Sequence, residues 1–355
     1  MSQRAPGEGP PPARPTMRDV AALAGVAIKT VSRVMNGVST VDAELVGRVR
    51  KAADMLGYRP NLTASSLRRG PGRSATIGLL LEDVSNPFSA ALLRAVEDQS
   101  RDRGVQVLIG SLDEDPERER HLARALIDRQ VDGLIIAPAG QDQSYLLSES
   151  RLGTKIVFLD REPRLFAADA VVSDHRGGAM AAVAHLLERG HRRIGYLGDS
   201  LSIATAAERF AGFERAIERH GITPDSRLVA HGLRTIDQAG AGAELMLGQP
   251  EPPTALFSSR NVVTIGTAKA LHRLGLARTV ALVGFDDFDL ADMLEPGISV
   301  VAQDTAGLGR LAADLLFGRL AGDDSPPSTR VVATTLVVRG SGEIRPLPER
   351  RRKRS

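Results

Sequence analysis

A chain of 355 residues exceeds one ordinary domain, and its shares of hydrophobic (42%) and charged (25%) residues are those of a globular protein with more than one core. It has no run of about 18 apolar residues to span a membrane, no apolar stretch in MSQRAPGEGPPPARP to act as a secretory signal, and no Cys for disulfides or thiolate metal sites, so the expected location is cytoplasmic. The net charge of +3 hides an asymmetry: residues 1–75 hold twelve Lys and Arg against five acids, a net +7, and the rest holds −4, so only the head is suited to a polyanion.

Residues 1–15 are polar and Pro-rich and read as a disordered tail. Thr16 to Asn36, TMRDVAALAGVAIKTVSRVMN, reads as a helix-turn-helix. Thr16 caps a helix whose Val20, Ala21, Leu23 and Ala24 share a face, Gly25 and Val26 turn the chain, and Val31 and Val34 face inward from a second helix. Ile28, Lys29, Thr30, Ser32 and Arg33 are left outward, a donor-rich set suited to phosphates and base edges. Taken alone, the pair also fits the αα-hairpin of any small helical domain. VDAELVGRVRKAADMLGY predicts a third helix stopped by Gly57. NLTASSLRRG then offers only Leu62, Ala64 and Leu67 as apolar groups, too few for an isolated helix, so this segment folds only when something holds it.

The AGVAIKTVSRVMNG turn and helix, the LGYRPN junction and the Ala-x-x-Leu hinge, in one unbroken run from Thr16 to Gly70, resemble the DNA-binding head of the LacI/GalR family of bacterial transcription regulators. The resemblance implies that Ile28, Lys29 and Arg33 read bases and that Thr16, Thr30, Ser32, Asn36, Tyr58 and Asn61 grip the DNA backbone. It also implies that the hinge, through Ala64, Leu67 and Arg68, meets the minor groove with Leu67 as an apolar wedge. The domains expected are a helix-turn-helix head over 16–60, a hinge and linker over 61–75, an effector-binding core over 76–345 and a basic tail over 346–355.

From Thr76 onward, strands (TIGLLL, VQVLIG, GLIIA, KIVFL, DAVVS, RIGYL, TALFS, VALVGF) alternate with helical patterns. Such alternation predicts parallel sheets with helices on both faces, and the number of elements predicts two doubly wound lobes. The resemblance extends over this region and implies a periplasmic-binding-protein-like core with a ligand cleft between lobes. Crossings between lobes are expected near Leu159–Arg164, near Ala291–Gln303 and near the C-terminal strand.

In open parallel sheets ligands bind beyond the carboxyl ends of the strands. Asn86, Phe88, Ser89, Asp160, Arg161, Arg260, Asn261 and Asp286 stand after such strands, and Arg209 occupies the place of the family's effector-contacting Arg. Carboxylates, guanidinium groups and one aromatic plate suit a polyhydroxylated ring, although each of these residues taken singly is explained equally by a surface ion pair or a helix cap. Asp174 reads as an N-cap. Arg260 stands where the family often has Asn, and Leu290 where it often has Trp; the extra cation would suit an acidic or phosphorylated sugar.

The seven His show no metal-ligand spacing, and neither a nucleophile elbow, a P-loop nor a strand-bound Gly-x-Gly-x-x-Gly is present. The reading is therefore a non-enzymatic, cofactor-free and metal-free repressor. Its expected partners are double-stranded operator DNA, a small sugar-like effector and a second copy of itself, since two-fold pairing doubles the few base contacts of one head.

Overall fold

The computed structural model describes residues 15–35, 38, 40–59 and 74–347. The chain divides into two units, Met1–Ser74 and Ala75–Ser355.

The first unit holds α1 (Met17–Ala24), α2 (Ile28–Met35) and α3 (Ala43–Leu56). Asp19 accepts from both the backbone N–H and the hydroxyl of Thr16, each at 2.7 Å, which fixes the start of α1. Gly25 ends that helix at φ 64°, a conformation that a β-carbon disfavours. Val20, Ala21, Ala24, Val31, Val34, Val49, Ala52 and Ala53 form the core. Arg48 of α3 donates to the Ala24 carbonyl at 2.7 Å, meeting an acceptor that the end of α1 leaves open. Leu23 corrects the expected face, being 49% exposed. It lies about 100° round the helix from the middle of the buried stripe, too far to reach α3.

The second unit opens with β1 (Thr76–Leu81), α4 (Pro87–Arg101), β2 (Gln106–Ser111), α5 (Pro116–Asp128), β3 (Gly133–Ile136), α6 (Leu147–Arg151), β4 (Lys155–Leu159) and β5 (Asp169–Ser173). There follow α7 (His175–Glu188), β6 (Ile194–Leu197), α8 (Ala204–Arg219), β7 (Val229–Ala230), α9 (Ile236–Leu247), β8 (Ala255–Ser258), α10 (Asn261–Arg273), β9 (Ala281–Phe285) and β10 (Ser299–Gln303). The last elements are α11 (Thr305–Leu320), β11 (Thr329–Val332), β12 (Thr334–Val337) and α12 (Gly340–Glu343).

The strands make two six-stranded sheets of the same topology, β11-β5-β4-β3-β1-β2 in lobe 1 and β12-β10-β9-β8-β6-β7 in lobe 2. All pairings are parallel except that of β10 with β12. Both faces of each sheet are covered, which is why the strands read as continuous apolar runs. Among the described residues no helix is long and apolar enough to cross a membrane.

The first crossing falls at Ser173–His175, one strand later than the sequence suggested. All five residues of β5 are buried, and they pair with β4 on one edge and β11 on the other, so β5 belongs inside the first sheet. The second crossing follows β10, since α11 packs on α4 and on β3, β4 and β5 of lobe 1. The third is a single residue, Ala333, between β11 in one sheet and β12 in the other. The helices that follow the first two crossings pack in matching ways. A β-carbon on Gly309 of α11 would meet Ala95 of α4 at 2.5 Å, and one on Gly212 of α8 would meet the Arg176 carbonyl of α7 at 2.5 Å.

Candidate functional site

The strand ends of both lobes face one cleft. Asp160 follows β4 and Asp286 follows β9, both at φ 68°, a left-handed conformation that Asp tolerates better than most residues. Both are buried, at 8% and 7% exposure. Arg209, from α8, lies between them. It donates to the Ser259 carbonyl at 2.7 Å and to His175 Nδ1 at 3.3 Å, stands 3.6 Å from Asp286 and stacks 4.0 Å above the Phe285 ring. Because Arg209 can only donate, His175 is the acceptor at Nδ1 and its proton sits on Nε2, 3.7 Å from Asp160 Oδ1. Burial, reinforced by the charge of Arg209, holds the His175 pKa well below the usual histidine value, so the ring is neutral.

Two further guanidinium groups are already spoken for. Arg161 binds both carboxylate oxygens of Glu114 and donates to the Pro138 carbonyl at 2.9 Å. Arg260 donates to Asp199 at 2.6 Å within lobe 2 and to Glu82 of lobe 1 at 3.0 Å. Asn261 adds a second tie between lobes, donating to Asn86 at 2.8 Å. Asn86 meanwhile caps α4 by accepting from the Phe88 N–H at 3.0 Å. The lobes are thus latched, and the cavity enclosed by Glu82, Phe88, Asp160, Arg209, Arg260 and Asp286 is about 40 Å³, room for little more than a water molecule. A wider pocket of about 370 Å³ adjoins it, reaching Asp160, Arg161, Arg164, His175, Thr205 and Val331.

Of the residues expected here, Asn86, Phe88, Asp160, Arg161, Arg209, Arg260 and Asp286 line the cleft. Asn261 is bonded across it. Ser89 is buried in α4 outside the lining, and Leu290 is 63% exposed away from it. Asp174 caps α7, accepting from the Gly177 N–H at 2.8 Å. Arg260 corrects one expectation. It is no free cation for an acidic sugar, because two carboxylates neutralise it. Sequence reasoning missed Glu82, Glu114, Asp199, Thr205 and His175. Glu82 and Asp199 had a usable signal, each lying one or two residues beyond a buried strand. No group of His, Asp and Glu that could hold a metal is found among the described residues.

In the head, Ile28, Lys29 and Arg33 are exposed on α2 while Thr30 and Ser32 are half-buried. Val31 and Val34, fixed in the core, determine that orientation. Arg33 donates to the Thr40 hydroxyl at 2.6 Å, and Tyr58 packs half-buried on the helical core. The expected DNA contacts Asn36, Asn61, Ala64, Leu67 and Arg68 lie outside the described residues.

Residues 16–61 match the pattern described as bacterial regulatory proteins, lacI family, and residues 183–342 that of a periplasmic binding protein-like domain. The chain is 33% identical to the transcriptional regulator AscG of Escherichia coli over 88% of its own length and 95% of the relative's. It is 33% identical to the regulator PtxS of Pseudomonas aeruginosa over 92% and 96%, and 29% identical to the repressor CytR of Escherichia coli over 93% and 97%. Among solved structures, the lac repressor dimer bound to operator and an anti-inducer aligns with a TM-score of 0.81 at 25% identity, covering 92% of this chain and 98% of that one. The transcriptional regulator CelR with cellobiose aligns at 0.68 and 29% identity, covering 92% and 100%.

Proposed function

Because the chain belongs to the LacI family of bacterial regulatory proteins, we propose that it is a repressor whose paired heads hold a near-palindromic operator and whose cleft takes a small hydroxylated effector. The observation that carries this reading is the Asp160, Arg209 and Asp286 constellation: two carboxylates and a stacked guanidinium converge on one cleft from both lobes. Vicinal hydroxyls can donate to the carboxylates and accept from the guanidinium at once. The names of the relatives support the reading, with an operator and an anti-inducer in one and cellobiose in another.

In the head, Arg33 is the natural reader of a guanine through its O6 and N7, Lys29 adds a second cation, and Ile28, 45% exposed, suits a thymine methyl. Leu67 is the proposed wedge. A second copy is supported by the edge strand β2, which exposes Leu108 and Ile109 at 38% and 42%. An effector that binds one lobe arrangement better than another changes operator affinity by its differential binding energy, typically about 1–3 kcal/mol.

Selection of genomic DNA fragments on the full-length protein, followed by quantitative binding to the selected duplex, tests the proposal. A near-palindromic site bound with affinity that falls steeply with salt, and altered by a sugar, is expected. Recovery of no preferred sequence would refute it.

A further inference from the structure

The charges around the cleft do not balance. Five carboxylates, Glu82, Glu114, Asp160, Asp199 and Asp286, face three guanidinium groups. Glu114 is fully matched by Arg161. Arg260 is shared between Asp199 and Glu82, Arg209 stands 3.6 Å from Asp286, and Asp160 stands 3.6 Å from the Arg161 that Glu114 already holds, leaving two negative charges over. His175, a titratable ring against the cluster, is neutral for the reasons given above. One carboxylate oxygen also has nothing to accept from: Asp160 Oδ1 is buried in the lining without a hydrogen-bond partner. A buried acceptor in that state is costly, the more so when charged, so its place in a cleft lining marks it for an incoming donor.

We propose that the effector carries a protonated nitrogen on a hydroxylated frame, as an amino sugar does, and that Asp160 and Glu82 receive that charge from opposite sides of the cleft's lobe 1 wall. This rests on the reading of the cleft as the effector site. A neutral polyol could satisfy the lone acceptor but would leave both surplus charges, whereas an anionic sugar would add a third. Burial raises the carboxyl pKa of both Glu82 and Asp160 even beside Arg260 and Arg161, consistent with carboxylates whose neighbouring cations are shared with other acids. Arg260 contributes to the selection indirectly. It binds Asp199 and Glu82 at once and so holds the acidic wall of lobe 2 against that of lobe 1.

The test is calorimetric titration of the full-length protein with glucose, galactose and mannose, with their 2-amino counterparts, and with gluconate and glucose 6-phosphate. At least one amine is expected to bind about tenfold or more tightly than its hydroxyl partner, and Glu82→Gln is expected to erase most of that preference. Neutral or anionic members that bind as well as the amines, or better, would overturn the proposal and leave the effector reading standing. Binding of no member of the panel would overturn both. The ligand series on the unaltered protein decides the matter even where Glu82→Gln fails to fold.

Discussion

Asp160 and Asp286 occupy the same corner of two copies of one sheet. Each follows the third strand of its sheet order, each has φ 68°, and each N–H is bonded to the neighbouring strand, to Val171 O at 2.8 Å and Val301 O at 2.9 Å. The duplicated topology therefore delivers two buried carboxylates facing one cleft, and Arg209 lies between them. Neither carboxylate is required by the strand that precedes it. The burial of Asp160 costs stability, which on the proposed reading effector binding would recover.

That cost is measurable at Asp160. Burial raises its pKa from the usual 3.8 to about 6. The folded form then keeps its proton where the unfolded chain has lost it, so this group's contribution is fully present below about pH 4 and is lost as pH rises through 6. A shift of roughly two units corresponds to at most about 3 kcal/mol. Asp160→Asn keeps the left-handed backbone and removes the charge, so at pH 7.5 the effector-free protein should melt several degrees higher than the unaltered one. At pH 3.5 the two should nearly coincide, and the variant should no longer respond to effector. Equal melting temperatures at both pH values would show that Asp160 carries no such cost.

Arg209 should behave in the opposite sense. Its removal leaves Asp286 without that cation and the Ser259 carbonyl without its donor, and uncovers the Phe285 ring. Breaking a buried pair by deleting one partner costs about 3–5 kcal/mol, so Arg209→Ala should lower the melting temperature as well as abolish the effector response. Thermal unfolding of the two proteins side by side checks this. A variant as stable as its parent would mean that water or Asp286 itself relaxes into the gap.

Much of this was legible in the chain, and the misses have physical causes. A strand with helices on both sides is apolar along its whole length, so TIGLLL, KIVFL and VALVGF declare both themselves and their carboxyl ends, where Asp160 and Asp286 were sought. Pairing is not written in a strand, so DAVVS could not be assigned to a sheet until β4 and β11 were seen on its two edges. Nor is the partner of a charge written beside it: 178 positions separate Arg260 from Glu82. Arg260 therefore read as a free cation. Leu23 failed for a simpler reason, since an apolar residue near the edge of a helical stripe is buried only if a neighbour reaches it.

The core should stand without the head. The second unit begins at Ala75 and contains both sheets with all four of their packed faces. A protein of residues 75–355 is expected to unfold cooperatively and to bind effector with affinity within about twofold of the full chain, while losing specific DNA binding. Calorimetry and duplex binding on the same preparation measure the two properties. A core that aggregates or loses its effector would show that the head supports it.

Arg33 separates reading from gripping. It is exposed on α2 and donates to the Thr40 hydroxyl at 2.6 Å, an exposed bond that a base edge can replace at little cost. Arg33→Ala should therefore weaken binding to the selected operator by about 1–3 kcal/mol and relax the preference at one base position in each half-site. Lys29→Ala, if that residue instead meets phosphate, should weaken all duplexes alike and lower the salt slope by about one. Val34 supplies the control: it is buried in the head's core, so Val34→Ala should lower the stability of the head by about 1–3 kcal/mol and reduce binding only as far as the head unfolds. If Arg33→Ala changed affinity for every sequence equally, with base preference intact, Arg33 would be a backbone contact, and the reading of α2 would have to shift to Ile28 and Lys29.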